Sequence, residues 1–431
     1  MNMYQKTSSL IRKLLLSKTA RNTYLVFMGN MISAVFAFIF TVVLYRVISL
    51  SDFGYYSAIF SLFILVCDVS DVGIGASLAR FLPSLKNNRD RFNTFIKTSF
   101  LYQSGIVLVL CFLILILSNF LAGNFFHNPS LTPLVRVITV GIFGLTILNF
   151  FSYILSAEER FVGASVLSAL SSILRLIFLI LIILLSFVNL TSVIWTQIAS
   201  MILTAFVALA FIGTRFLKSS PSSKDFGELL KFSKFLGIAR SLTAVSSRLD
   251  TLMLIAFTNS VETGIYATAS RVISIYPLLA GSFTSVIAPR ISGIATKNEF
   301  KDYLLKIILA TLGLIVTILV LIVIANPFIT ILFGEKAKDS VGVFQLLLVS
   351  QIFFTASIPA VAVAIYYVKK PQILTINSVL QLIIVIVGNL IFIPRYGRMG
   401  PALSLILAFA ATVFLTSYLS IYSLRRHHHE K

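Results

Sequence analysis

Long apolar runs alternate with short polar interruptions along almost the whole chain. A hydrocarbon core about 30 Å thick needs about 20 helical residues to cross it. Runs of that length predict helices near 22–46, 53–79, 95–119, 131–157, 161–186, 190–214, 232–257, 262–287, 303–327, 341–368, 371–393 and 400–423. The pattern is that of an all-α integral membrane protein with twelve transmembrane helices, an even number that places both ends on one side. The first run, Tyr24 to Leu44, is too long for a signal-peptide core and has no small-residue cleavage pattern after it, so it is expected to persist as a span.

The seventh run breaks the apolar pattern most sharply, because Arg240, Arg248 and Asp250 fall inside it. A charge near the centre of a membrane helix costs about 2.5–3.5 kcal/mol unless it faces a polar surface. At about 100° per residue, Ser233, Gly237, Arg240, Thr243, Ala244, Ser247 and Thr251 share one side, with Arg248 and Asp250 on its shoulders. Ile238, Leu242, Leu249 and Met253 take the other. One reading is a helix that faces lipid on one side and lines a wet, cationic pathway on the other, where the planar arginine fork suits phosphate oxygens. The other is a polar seam between packed helices in which aspartates neutralise the arginines.

Composition agrees with the pattern: 58% of residues are hydrophobic and 12% charged, where a soluble domain carries about 25% charged. The net charge of +20 is not a nucleic-acid footprint, because the basic residues sit in short loops and act as an orientation signal. Of 35 Lys and Arg, most lie on the side of the N-terminus; Arg46, Arg136, Lys336, Lys338, Arg395 and Arg398 take the opposite side. Both termini are therefore expected in the cytoplasm. Arg175, Arg240, Arg248 and Arg271 lie within spans. Residues 1–20, with Leu10, Ile11, Leu14 and Leu15 among basic residues, fit either topogenic charge or a helix on the anionic leaflet. Cys67 and Cys111, each in an apolar run, offer neither a disulfide framework nor metal-ligand spacing. The histidines His427, His428 and His429 read as a solvated tail.

The Ser- and Pro-containing stretch 215–231 divides six runs from six. The expected organisation is an N-terminal lobe over 1–214, a cytoplasmic linker over 215–231, and a C-terminal lobe with a basic tail over 232–431. A shift of 210 residues aligns Ala34, Val35, Thr41, Leu44 and Arg80 with Ala244, Val245, Thr251, Leu254 and Arg290. It also aligns Asp52, Gly54 and Tyr56 with Glu262, Gly264 and Tyr266. This acidic-x-Gly-x-Tyr turn after the first run of each half is the strongest sign of a parallel repeat. Pro277 and Pro359 lie deep in their runs and are expected to bend them, as a gate or a fixed kink.

Asp68 and Asp71 precede Gly73 and Gly75 in the second run. With Asp250 they are the candidates for a coupling proton or sodium ion, or else counter-ions to the arginines. There is no phosphate-binding Gly-rich loop and no His/Glu metal set, so neither ATP hydrolysis, a cofactor nor a metal centre is expected, and the chain does not read as an enzyme. Trp195 and the tyrosines read as interface anchors.

Four regions carry a resemblance. They are Asn22 and Gly29 followed by residues 50–62; residues 71–83; Arg240 and Asp250 followed by 260–271; and Asn389 followed by 393–402, where Pro401 stands at a position more usually Ala. Their order and spacing resemble the Wzx-type polysaccharide-transporter flippases of the multidrug/oligosaccharidyl-lipid/polysaccharide superfamily. The resemblance implies two six-helix bundles in a MATE-like arrangement around a cavity that opens alternately to either side of the inner membrane. It implies transport of an undecaprenyl-diphosphate-linked oligosaccharide to the periplasmic face. Arg175, Arg240, Arg248 and Arg271 would then supply positive charge along the path of a diphosphate.

A multidrug or metabolite antiporter of the related branch is the alternative, although such a pocket favours acidic residues for cationic cargo. A membrane glycosyltransferase or polymerase is disfavoured by the short outer loops. A facilitator-superfamily transporter is disfavoured because residues 86–93 lack the Gly-x-x-x-Asp-Arg pattern.

Overall fold

The computed structural model describes residues 18–277, 279–280, 287, 291, 296–368 and 372–429, with the main chain alone at 18–24, 235, 239, 297 and 425–429. Residues 1–17, Arg290, Lys369, Lys370 and the side chains of His427, His428 and His429 lie outside the described residues. Within them the chain is helical, with no strand. The helices are α1 Lys18–Val47, α2 Leu50–Ser70, α3 Ile74–Leu85, α4 Arg89–Phe120, α5 Thr132–Ala157, α6 Phe161–Leu184 and α7 Leu190–Ile212. They continue as α8 Ser223–Phe257, α9 Ser260–Ile273, α10 Lys297–Val323, α11 Ala325–Phe333, α12 Ser340–Ala356, α13 Ile358–Ala362, α14 Gln372–Tyr396 and α15 Gly400–His429.

Nine stretches among the described residues are long and apolar enough to cross a membrane, and the last, Gln372–Leu424, comprises α14 and most of α15. The described part of α9 is 14 residues, too short to count, and α8 carries its three charges in mid-helix. Large apolar side chains face outward, as lipid requires: Phe112 and Ile116 on α4 are each about three-fifths exposed.

Local chemistry explains the helix boundaries. Side-chain oxygens of Asn88, Asn189, Asn259 and Thr296 accept backbone N–H groups of the first turns of α4, α7, α9 and α10, satisfying donors that have no partner inside the helix. The Ser222 hydroxyl does the same for the Asp225 N–H. As a result α8 starts at Ser223, inside the stretch 215–231, and the only other helical turn there is the 3₁₀ segment Arg215–Lys218.

The second run was expected as one helix over 53–79, and the structure corrects this. It breaks at Asp71, Val72 and Gly73, between α2 and α3, where Val72 and Gly73 take φ values of 40° and 79°. The tenth run also breaks, between α12 and α13 at Ser357, just before Pro359, and continues into a π-helical turn, Val363–Tyr367.

The chain divides into two compact units, the first Met1–Ile48 with Ile59–Val245, the second Ser49–Ala58 with Ser246–Lys431. The core of the first is aromatic: Phe150 and Phe216 each meet Phe100 edge-on, at ring-centroid distances of 5.5 and 5.8 Å. In the second unit small residues bring helices close, as is usual where lipid supplies no hydrophobic drive. A β-carbon at Gly388 of α14 would lie 2.7 Å from the Ser404 hydroxyl of α15.

The two acidic-x-Gly-x-Tyr turns meet within this second unit. A β-carbon at Gly54 would lie 1.7 Å from the Ser260 carbonyl oxygen, and one at Gly264 would lie 2.5 Å from the Leu50 carbonyl oxygen. Ser51 and Ser260 share a 2.7 Å hydrogen bond beside the crossing. The repeat-related glycines therefore let the starts of α2 and α9 touch backbone to backbone.

This crossing predicts a sharp contrast. Gly54→Ala and Gly264→Ala should each destabilise the protein by about 1–3 kcal/mol through overpacking. Gly313→Ala, with nothing among the described residues within 4 Å of its added methyl, should be neutral or slightly stabilising. Thermal unfolding of the detergent-solubilised variants reads the difference, and equal melting of Gly54→Ala and Gly313→Ala would refute the crossing.

Candidate functional site

In the first unit the helix break organises a polar cluster. Unwinding at 71–73 removes helical partners from the start of α3, and the Asp71 carboxylate replaces one by accepting the Gly75 N–H through Oδ1 at 3.1 Å. Its Oδ2 accepts from Nη1 of Arg240 on α8, and the Tyr153 hydroxyl of α5 lies close to the same guanidinium. Gly75 makes room for that tyrosine, since a β-carbon there would lie 2.8 Å from the ring.

Close packing holds the cluster together. A β-carbon on Gly237 would lie 2.7 Å from Val72 Cγ1, and one on Gly73 would lie 3.0 Å from the Ser233 carbonyl oxygen. Ser233, Gly237 and Ala244 of the expected polar stripe are thus buried against neighbours, while Thr243 and Ser247 are exposed. The opposite face behaves as expected, with Ile238 62% and Leu242 49% exposed.

Arg240 combines features of both sequence readings. A carboxylate caps it, yet 47% of its side chain is exposed against 8% for Asp71. A guanidinium has five N–H donors, so pairing with Asp71 holds it in place without exhausting it. Asp68 is exposed, whereas Asp71 is buried. Arg175, also in this unit, donates to Gln197 Oε1 at 3.1 Å and lies 4.5 Å over the Phe40 ring. On the same unit, Arg80 stacks 4.4 Å over Phe232, and Arg91 pairs at 3.0 Å with the buried Asp225.

The second unit holds Arg248, Arg271 and Asp250. Both arginines are partly buried, and Arg271 lies near Tyr56. Asp250 accepts the Tyr266 hydroxyl at 3.0 Å and the Asn389 amide at 2.9 Å. Both partners are neutral donors, and Asn389 Oδ1 beside them is buried with no hydrogen-bond partner among the described residues. The candidate arginines are therefore split, two to each unit, and Asp71 meets Arg240. Glu262 accepts from the Arg398 backbone N–H at 2.9 Å and from its guanidinium at 3.1 Å, tying α9 to the turn before α15.

Tyr153, Tyr266 and Asn389 were not anticipated as site residues. Tyr266 had a signal in the repeated turn, and Asn389 had one as an amide within an apolar run. Tyr153 had none, because its role depends on Gly75 of another helix.

A bundle of long apolar helices, broken once around a carboxylate–guanidinium pair and carrying further charge in mid-helix, defines a multi-pass membrane protein with polar groups among its long helices. The sequence model of the polysaccharide biosynthesis protein family matches residues 19–295, more than half of the chain, and the chain belongs to that family. It is 24% identical over 234 residues to the "Probable low-salt glycan biosynthesis flippase Agl15" of Haloferax volcanii, covering 53% of this chain and 49% of the relative. It is 22% identical over 312 residues to the "Lipopolysaccharide biosynthesis protein WzxC" of Escherichia coli, covering 71% of this chain and 61% of the relative. The chain thus spans about half to three-fifths of the length of these relatives.

The fold is that of the superfamily expected from the sequence. An inward closed form of the lipid II flippase MurJ superposes with a TM-score of 0.72 at 19% identity, covering 92% of this chain and 87% of that one. An inward-facing multidrug resistance MATE family transporter superposes with a TM-score of 0.71 at 15% identity, covering 91% and 94%.

A double-mutant cycle tests the pair at the break. Asp71→Asn and Arg240→Gln should each lower the melting temperature, and the double variant should recover part of the loss, with a coupling of about 1–2 kcal/mol. That is less than the roughly 3–5 kcal/mol expected for breaking a fully buried pair, because Arg240 is half open to its surroundings. Additive effects would show that the pair does not hold the break.

Proposed function

We propose that the chain is a flippase that carries a lipid-linked oligosaccharide from the cytoplasmic to the periplasmic leaflet of the inner membrane by alternating access. In this reading the carrier is undecaprenyl diphosphate, the chain has twelve spans in two six-helix halves, and both termini are cytoplasmic. Family membership and the strong bias of basic residues to one side support it. The single observation that carries it is Arg240: a guanidinium in mid-helix of the charged seventh run, held by Asp71 beside Tyr153, with nearly half its side chain exposed. A fork fixed in place loses little freedom when it binds a phosphate oxygen, so pairing with Asp71 lowers its net charge but sharpens its geometry. Arg175, Arg248 and Arg271 extend the cationic path in the same proposal.

Asp250 is the proposed coupling-ion site. Its neutral partners leave its charge uncompensated by them, and the adjacent Asn389 oxygen offers a second ligand to a proton or sodium ion. Asp71 is already engaged by Arg240 and Asp68 is exposed, so both are weaker choices. The same acidic site is what favours the second reading, a cation-coupled antiporter of drugs or metabolites. Cargo separates the two: the flippase needs the arginines, and the antiporter does not.

In cells that lack their own flippase, Arg240→Lys should keep the protein in the membrane while surface glycan falls by about tenfold, the equivalent of one lost charge-assisted contact. Arg248→Ala should also reduce it. Full export by both variants would defeat the arginine route. Asp250→Asn should uncouple export from the ion gradient, and an unchanged gradient dependence would remove Asp250 as the coupling site.

A further inference from the structure

The second unit has a half-open cavity of about 540 Å³ that the arginine route does not use. It lies between α12, α14 and α15 and the π-helical turn that follows α13. Its size falls within the range of about 300–1,000 Å³ typical of small-molecule sites. Among the described residues no charged side chain lines it.

The polar groups are arranged in a way that calls for a ligand. Asn377 and Gln381 stand one turn apart on α14, and Thr412 and Thr416 one turn apart on α15. Each threonine donates its hydroxyl hydrogen to its own helix, Thr412 to the Phe409 carbonyl at 3.1 Å and Thr416 to the Thr412 carbonyl at 2.6 Å. Their oxygens are therefore left as acceptors.

Thr416 takes the Asn377 amide N–H, which fixes that side chain. Asn377 is only 8% exposed, and its Oδ1 is buried in the cavity wall with no hydrogen-bond partner among the described residues. A buried carbonyl oxygen normally has a donor, and here the cavity is the place from which one can come. The Gln381 amide adds both a donor and acceptors at the same wall.

The remaining wall is apolar and partly flat. Phe354 and Phe409 lie 5.3 Å apart, tilted to each other, and the π-helical turn after the break at Ser357 carries Tyr366 to the same space. A charged ligand would lose its hydration here without gaining a counter-charge from the described residues. An acyl chain would leave Asn377 Oδ1 unanswered. A neutral pyranose fits both demands, with hydroxyls that donate to amide and threonine oxygens and a C–H face that lies on aromatic rings.

We propose that this cavity is a binding site for a neutral pyranose, a hexose or N-acetylhexosamine unit. Under the flippase reading, on which this physiological role rests, it is a subsite for one uncharged sugar of the glycan, separate from the arginines that would meet the diphosphate. Binding itself can be measured without any transport.

The purified full-length chain in detergent is mixed with methyl glycosides of glucose, galactose and N-acetylglucosamine, and with methyl glucuronide, and followed by saturation-transfer difference NMR. At least one neutral glycoside should give a signal and the glucuronide should not. Gln381→Leu and Asn377→Leu should each weaken the neutral signal by about tenfold, the factor expected for one lost hydrogen bond. If Asn377→Leu fails to fold, Gln381→Leu decides, because its partly buried side chain is not part of the Asn377–Thr416 contact.

No signal from any neutral glycoside, a signal that survives Gln381→Leu, or saturation transfer from detergent acyl chains alone would each overturn the site. Export of surface glycan by the wild-type chain with no neutral-sugar signal would overturn the cavity and leave the flippase standing. A sugar signal lost in the variants, together with a wild-type chain that restores no surface glycan, would support the cavity and overturn the flippase.

Discussion

In hydrocarbon no water is available to satisfy a backbone N–H that loses its helical partner. The break between α2 and α3 is possible only because Asp71 turns its carboxylate back onto the Gly75 N–H. That same carboxylate needs a counter-charge at this depth, and Arg240 provides it from α8. Tyr153, the glycines at 73, 75 and 237, and the left-handed Val72 follow from this one requirement, since they bring the partners into reach. A β-branched residue at φ 40° is costly by itself. The surrounding contacts over-determine it.

Charge at membrane depth is handled differently in the two units. Around Asp71 it is paired with opposite charge; around Asp250 it meets neutral donors. A paired carboxylate is committed to structure and orientation, while one held by a hydroxyl and an amide keeps capacity for an added cation or proton. Arg240 stands between these extremes, because its partners fix the plane of the fork without covering it. Half-covered guanidinium is expensive if nothing ever meets it, and that expense argues for a ligand.

Much of this architecture was legible in the order of apolar and polar residues. The helices lie where apolar runs lie, and the charged seventh run is the helix that carries Arg240, Arg248 and Asp250. The repeated acidic-x-Gly-x-Tyr turn marked the two glycines that meet in the second unit. The interruption of the second run was less legible: apolar residues resume after it, and the aspartates at 68 and 71 and the glycines at 73 and 75 were the signs that a helix would stop and restart. Partnerships were least legible of all. Asp71 with Arg240, or Asn377 with Thr416, joins residues far apart in sequence, and no spacing within one helix announces them.

The contact between Gly54 and Gly264 has a genetic consequence. Most tight contacts in a protein join side chains, so an enlarged residue on one side can be accommodated by trimming the other. Here both sides are already bare main chain, with nothing left to trim. A lesion at either glycine cannot be relieved by shortening the residue it strikes, because the atom it strikes is main chain.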